Sequence, residues 1–388
     1  MISISLWARG DNSTANNASI NSLNTSQVPV TELTFVAVPG ASAPNDPYGD
    51  ILLDPNNGSV DPDTQVIING VQMDFTVEFS GNLPMSKKFT DLAVGDKEVV
   101  VISAIEHHAI LDPAHWLETH EGAEVILVPV NVHGVIELEF LKDLIAQRGH
   151  EIAVISIMHS NNETGVIQPI REVVTMAGDI PVHTDAVQSF KKVPLSYKEL
   201  GVTALTISAH KVGGPLGIGA LILRRAYEIP ALLHGGGQER EIRSGTLNAP
   251  AIVAFAAAAA SKIYEASKVQ ELRERFEAGL LKSAPSAYIN GVDAKRLPGI
   301  SNVTFPGTQS DSLLLLMDSE KVSCSTGAAC SAGVHRPSHV LLAMGHNEIS
   351  AQSSLRFSLG ANSTQADVDF ALSVLPTVIE RGRAANQI

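Results

Sequence analysis

At 388 residues the chain has room for two or three domains, and a formal net charge of −14 argues against a nucleic-acid backbone as partner, since phosphate binding needs clustered Lys and Arg. Hydrophobic residues at 44% and charged residues at 18% make an ordinary globular balance. No basic-then-apolar leader opens the chain, and the longest apolar run, Ala251 to Ala260, is too short to span a bilayer. Two cysteines, Cys324 and Cys330, favour neither a disulfide framework nor a zinc site, and suit a reducing cytoplasm.

Residues 1–97 differ in texture from the rest. Asn, Ser and Thr crowd Asn12 to Ser26, and Pro, Asp, Asn and Gly crowd Pro39 to Asp63. The apolar pieces between are β-like: Glu32 to Val38, and Gln65 to Phe79 split by Asn69-Gly70, a strong two-residue hairpin signal. After that turn Val71, Met73, Phe75, Val77 and Phe79 alternate with polar residues, as in a half-buried strand. No helix is expected before residue 100. Asp54 to Gly58 reads as a turn rather than a calcium loop, whose ligand spacing it lacks.

From about Glu98 strands and helices alternate. Val99 to Ile102 is a short apolar run, and Leu138, Leu141 and Ile145 share a helix face that stops near Gly149. Ile152 to Met158 is almost unbroken in its apolarity, the mark of a strand covered on both faces. A helix from Arg171 and strands at Pro181 to Thr184 and Ala204 to Ser208 complete a βαβ rhythm, which implies a parallel sheet. Beyond Pro250 come an alanine-rich helix, an amphipathic one at Val269 to Lys282, and a last helix opened by Thr364 with Asp367 three residues on. The expected class is α/β, with a β-rich segment at 1–97, a large domain at 98–250 and a smaller α/β domain at 251–388.

Ligands of open parallel sheets bind beyond the carboxyl ends of the strands, and the polar clusters fall there. They are Glu106-His107-His108, His159 to Glu163, Asp185 with Gln188 one turn on, and Ser208-Ala209-His210-Lys211. A lysine at a buried strand end would have a depressed pKa, which suits an amine that bonds a carbonyl carbon. Each signal alone has a plainer meaning. Asp185 could cap a helix, Ser208 to Lys211 could be loop, and His234-Gly235-Gly236-Gly237 could be a flexible turn. His107-His108 lacks a third ligand at suitable spacing, so no metal is expected.

In their order along the chain these segments resemble the NifS/IscS-type cysteine desulfurases, class V aminotransferase-like enzymes that use pyridoxal 5'-phosphate (PLP). The resemblance lies in Glu106 to Ala109, Met158 to Gly165, His183 to Gln188, Ser208 to Lys211, His234 to Arg240, Arg243 to Thr246, Gly327 to Gly333 and Ser354 to Gly360. It implies a fold-type-I architecture from about residue 98, with Lys211 bonded to PLP and moving the α-proton. It further implies Asp185 on the pyridine nitrogen, His107 stacked on the ring, and Gln188 on the phenolic oxygen. Ser208 and His210 would contact the phosphate, with Thr246 reaching that of a neighbouring subunit in a homodimer. Asn162 and Arg356 would hold the substrate carboxylate, and Cys330 would take sulfur from L-cysteine and pass it to an acceptor such as an iron-sulfur scaffold. Cys324, in the β-like run Lys321 to Ser325, is expected to be structural.

Residues 1–97 lack the family's Asp-Asn-Ala-Ala-Thr-Thr-like opening and its Thr-x-Gly-Gly-Thr-Glu-Ala-like phosphate-binding turn. Weaker PLP binding and a fused or truncated desulfurase follow as expectations. The competing readings are a sibling PLP enzyme (a selenocysteine lyase or an aminotransferase) and a catalytically impaired homologue.

Overall fold

The computed structural model describes residues 99–326 and 337–386, together with three short strands nearer the start, β1 (Leu33–Phe35), β2 (Val66–Ile68) and β3 (Val71–Met73). Pairing of Ile68 with Val71 leaves Asn69-Gly70 as the link of an antiparallel hairpin, as that dipeptide predicts. Phe75, Val77 and Phe79 of the expected longer strand lie outside the described residues.

In chain order there follow β4 (Val99–Ser103), α1 (His108–Trp116) with a π-helical turn at Leu117–Glu121, β5 (Glu124–Val128), α2 (Leu138–Arg148), β6 (Ile152–Ser156), α3 (Ile170–Ala177) and β7 (Val182–Asp185). Next are α4 (Tyr197–Leu200), β8 (Ala204–Ser208), a 3-10 turn at Ala209–Val212, β9 (Gly219–Leu223), α5 (Ala249–Ala260) and α6 (Ala266–Ser283). The chain finishes with β10 (Tyr288–Ile289), β11 (Ile300–Thr304), α7 (Ser310–Ser319), β12 (Ser325–Thr326), α8 (His339–Ala343), α9 (Glu348–Ala351), β13 (Ser354–Ser358) and α10 (Gln365–Ala385). Two compact units emerge, 93–202 with 262–388, and 1–92 with 203–261.

In the first of these, β5, β4, β6 and β7 lie side by side in that order and run parallel. Strands β4, β6 and β7 are buried along their whole length, which is why their sequences are runs rather than alternations. Strand β5 exposes Glu124 and Leu127 and carries no such signature. The same unit holds an antiparallel sheet in the order β10, β11, β13, β12. Helix α6 buries Val269, Leu272, Phe276 and Leu280 at the three- and four-residue spacing of one helix face. Phe357 of β13 packs on Phe276 and Phe305, with ring centroids 4.8 Å and 6.4 Å away. Helix α10 lies against α6 and α7, and Thr364 and Asp367 exchange side-chain-to-backbone hydrogen bonds at its start, as their spacing predicts.

In the other unit, β8 and β9 pair antiparallel from Ala204 with Leu223 to Ser208 with Gly219. The parallel rhythm expected from sequence does not extend to β9. The link from Ser208 to Gly219 is one 3-10 turn and a glycine-rich bend, too short for the crossover that a parallel neighbour needs. Helix α5 starts at Asn248, whose side chain accepts the Ala251 amide proton, and buries Ile252, Phe255, Ala256 and Ala259.

Candidate active site

The carboxyl ends of β4, β6 and β7 carry most of the candidate residues of the larger unit. Just beyond β4, His107 caps α1, its Nδ1 accepting the Ala109 amide proton at 3.0 Å. That bond leaves the ring proton on Nε2 and fixes the ring's orientation. Asp185 ends β7 at 8% exposure, and its Oδ1 accepts the Val187 amide proton at 2.8 Å. The cap-like behaviour weighed for Asp185 is therefore present, and it leaves the carboxylate at the strand end. Gln188, one turn on, receives Lys192 Nζ on its Oε1.

The loop after β6 is ordered by Asn161, whose Oδ1 accepts the amide protons of Glu163 and Thr164 and whose Nδ2 donates to the Ile105 carbonyl. Asn162 therefore sits on a rigid bend, and its carbonyl receives Nη1 of Arg356 at 3.0 Å. Those two residues, 194 positions apart, are brought together directly. Arg356 also comes from β13, in register with Asn302.

In the unit of 203–261, Ser208 and His210 bond each other, Oγ to Nδ1, at 2.7 Å. Lys211 follows on the 3-10 turn and is exposed. This corrects the expectation of a lysine buried at a strand end, because the chain leaves the sheet at Ser208 and the lysine projects from the turn beyond it. Thr246 is exposed two residues before the cap of α5. The loop leading to it is no generic flexible turn. Glu239, Arg240 and Glu241 hold φ of 51°, 58° and 63°, three successive left-handed residues that are not glycine. Each costs roughly 1–2 kcal/mol relative to ordinary backbone, and such strain gathers at ligand clamps and active sites.

Cys330 lies outside the described residues, within 327–336. Cys324 is a free, half-buried thiol packed on the core of the antiparallel sheet. Burial, with help from the Asp318 charge, pushes it up to about 11, so it stays protonated at neutral pH and unreactive, as expected of a structural cysteine.

The aminotransferase class-V family matches residues 85–370. The chain belongs to that family. An IscS-like cysteine desulfurase of Mycobacterium tuberculosis (strain ATCC 25618 / H37Rv) is 43% identical over 293 residues, 74% of each chain. Among solved structures, a NifS-like protein superposes with a TM-score of 0.71 at 32% identity, covering 79% of this chain and 82% of that one. SspA in complex with cysteine superposes at 0.64 and 32% identity, covering 74% and 82%. Within class V the chain is a NifS/IscS-type, PLP-dependent cysteine desulfurase with the fold-type-I architecture, and the family match begins upstream of Glu98.

The donor set suits the class-V cofactor. One unit offers a buried carboxylate for a protonated pyridine nitrogen and an imidazole whose plane is already fixed. The unit of 203–261, taken by itself, carries an exposed primary amine and a bonded hydroxyl–imidazole pair, groups with the chemistry to meet an aldehyde and a phosphate.

Several polar residues that sequence reasoning left without a role are buried around these class-V positions. His159 and His183 bond serine hydroxyls, Ser189 and Ser156 respectively, and burial lowers them to about 4 and about 3, so both are neutral. Glu163 is 2% exposed and accepts the Ser338 hydroxyl proton at 2.5 Å. Burial raises its pKa, while Ser338 and the charges of His339, Arg356 and His108 oppose the shift. The available signal was that His159 and Glu106 directly follow apolar runs and that His183 interrupts one; Glu163 had none of this kind.

Glu106 is the extreme case. It is wholly buried, its Oε1 accepts the Ser103 hydroxyl and Met158 amide protons, and its Oε2 has no hydrogen-bond partner among the described residues. Burial pushes it from 4.5 to about 8, with the Asp185 charge adding to the rise against those two hydrogen bonds. The folded chain therefore keeps a proton that the unfolded chain releases. Its stabilising contribution is complete below pH 4.5 and is lost as pH climbs through about 8. Stability of the wild type is expected to fall by on the order of a few kcal/mol across that window, and Glu106→Gln to lack that fall. Urea midpoints at pH 5 and pH 8 check this; parallel pH slopes for the two proteins would show that Glu106 ionises normally.

Proposed function

We propose that the chain converts L-cysteine to L-alanine and carries the released sulfur as a persulfide on Cys330, for iron-sulfur cluster assembly or thiolation. The observation that carries this reading is the bond from Arg356 to the Asn162 carbonyl. It sets a guanidinium, whose planar fork matches a carboxylate, at the end of β6. The relatives supply the reaction, since they are cysteine desulfurases, and the solved SspA complex contains cysteine.

Each chain residue then has a defined task. Arg356 and Asn162 orient the amino acid by its carboxylate. Lys211 Nζ would hold the cofactor by its aldehyde and move the α-proton, Asp185 would pair with the pyridine nitrogen, and His107 would cover the ring. Gln188 would meet the phenolic oxygen, while Ser208, His210 and a neighbouring subunit's copy of Thr246 would meet the phosphate. PLP, when bound, supplies the electron sink that makes the α-proton labile. The Cys330 thiolate attacks the substrate Sγ; an S–S bond forms and the Cβ–Sγ bond breaks. The electron pair of the broken bond stays on Cβ, which takes a proton and becomes the methyl of alanine. The transferred sulfur is oxidised as Cβ is reduced, so no external oxidant is needed.

In this reading residues 98–250 hold the cofactor and 251–388 bring Arg356 and Cys330. The chain acts as a homodimer in the reducing cytoplasm, where the Cys330 thiol is kept reduced and able to attack. Among the described residues no helix is long and apolar enough to cross a membrane. The test is alanine and protein persulfide from L-cysteine without added reductant, expected in equal amounts in the first turnover. Alanine absent with PLP bound points to the impaired homologue, and turnover of selenocysteine alone points to the lyase.

A further inference from the structure

Strand order reverses between β4 and β6: β4 passes through α1 to β5 on one side, and β6 passes through α3 to β7 on the other. Open α/β sheets hold their ligands beyond the strand ends at such a reversal. The last pair of the two strands is Ile102 with Ser156. Beyond it the amides of Ile157 and His159 turn to β7, donating to the His183 and Asp185 carbonyls. The Met158 amide between them turns the other way, past the end of β4, and Glu106 Oε1 accepts its proton at 2.7 Å. Ser103, the last residue of β4, donates its hydroxyl proton to the same oxygen at 2.5 Å. A side chain thus takes the place that a further carbonyl of β4 would have filled.

Two further bonds gather at the same point. Asn161 Nδ2 donates to the Ile105 carbonyl at 3.0 Å, and His339 donates Nε2–H to the Glu106 carbonyl at 2.9 Å. Ile105 and Glu106 lead straight into His107, while Asn161 leads into Asn162, whose carbonyl receives Arg356. A short run of bonds therefore joins the turn of the imidazole assigned to the cofactor ring to the pair assigned to the substrate carboxylate. Filling space does not explain Glu106. A leucine would occupy a similar volume, whereas a wholly buried carboxyl is costly to keep unless its bonds do something. What the acid adds is a fixed spacing across the reversal. We propose that Glu106 is a positioning residue, which pins the His107 turn to the loop of Asn162 and so sets how an amino acid held by its carboxylate lies against the covered cofactor. This inference rests on the desulfurase reading above.

The experiment compares equilibrium binding with turnover at pH 7. PLP-loaded protein is titrated with L-alanine, the product of the proposed reaction, and followed by cofactor absorbance; PLP affinity, urea midpoint and kcat/KM for L-cysteine are measured beside it. In Glu106→Leu the half-saturating L-alanine concentration is expected to rise roughly 10- to 100-fold and kcat/KM to fall by a similar factor, the usual cost of a small misplacement. PLP affinity without amino acid should stay close to wild type. Glu106→Gln should restore all of these values, because its amide oxygen still accepts the Met158 and Ser103 protons and the wild-type acid is itself mainly protonated at that pH. A Glu106→Leu protein with a lower urea midpoint but normal L-alanine affinity would reveal a merely stabilising contact and overturn the proposal, as would a parallel loss of PLP affinity. Glu106→Asp, an acid one methylene too short for the Met158 amide, provides the second variant. It should shift the L-alanine titration in the same direction by a smaller factor, and an unshifted titration overturns the proposal even if Glu106→Leu does not fold. If the wild type neither responds to L-alanine nor consumes L-cysteine, the desulfurase reading itself fails and this inference with it; a responsive wild type beside a normal Glu106→Leu removes only the positioning role.

Discussion

Lys211→Ala is expected to lower alanine formation by at least roughly 10²–10⁴-fold, the range that loss of a positioned proton-transfer group alone produces. Loss of the covalent hold on PLP adds to that, so the variant should also emerge from purification with little cofactor absorbance. The fold should be untouched. Lys211 is exposed, and the turn beneath it is closed by backbone bonds from Gly213 and Gly214 to the Ala209 carbonyl. Exposed substitutions of this kind usually change stability by no more than about 0.5 kcal/mol. Borohydride treatment of the wild type in excess PLP should place the reduced cofactor on the peptide containing Lys211. A variant within tenfold of the wild-type rate, or labelling of another lysine, would move the role elsewhere.

Cys330→Ala is expected to separate the two halves of the chemistry. Cofactor loading and borohydride labelling of Lys211 should persist, because neither uses a thiol. Persulfide should vanish, and alanine formation should drop on the order of 10³-fold or more, as for loss of a nucleophile. Cys324→Ser is the control. With its thiol pushed up to about 11 by burial, Cys324 contributes no thiolate near pH 7, and its replacement should leave the rate close to wild type. Persulfide recovered on Cys324 in wild-type protein would reverse the assignment of the two cysteines.

The features legible in the sequence were local ones. A run such as Ile152 to Ser156 reports burial on both faces because the run itself is the consequence of that burial. Asn69-Gly70 reports its hairpin, and Thr364 with Asp367 reports its helix start, because each acts within four residues. The order of His107, Asn162, Asp185, Lys211 and Arg356 was readable for the same reason, each lying in a short motif. Partners far apart in the chain were not. Ser338 and Glu163 are 175 positions apart and His339 and Glu106 are 233, and nothing within a few residues of either announces the other. The direction of β9 was hidden because chain reversal depends on link length, whereas its apolar sequence suits either direction. Lys211 was misjudged in burial because a strand's apolar pattern says nothing of the turn that follows it.

The left-handed run at Glu239 to Glu241 has a bearing on how a ligand would be met there. Glycines at those positions would adopt the same backbone more cheaply, yet would leave the free loop sampling many shapes. Side chains carrying Cβ atoms narrow that choice, so the strain is already borne before anything arrives. In the proposed reading, a phosphate group docking beside Thr246 would meet a backbone already narrowed in shape and would lose little affinity to freezing it. The few kcal/mol stored in three peptide units are, in this sense, the counterpart of the ordering entropy that a softer loop would forfeit at the moment of association.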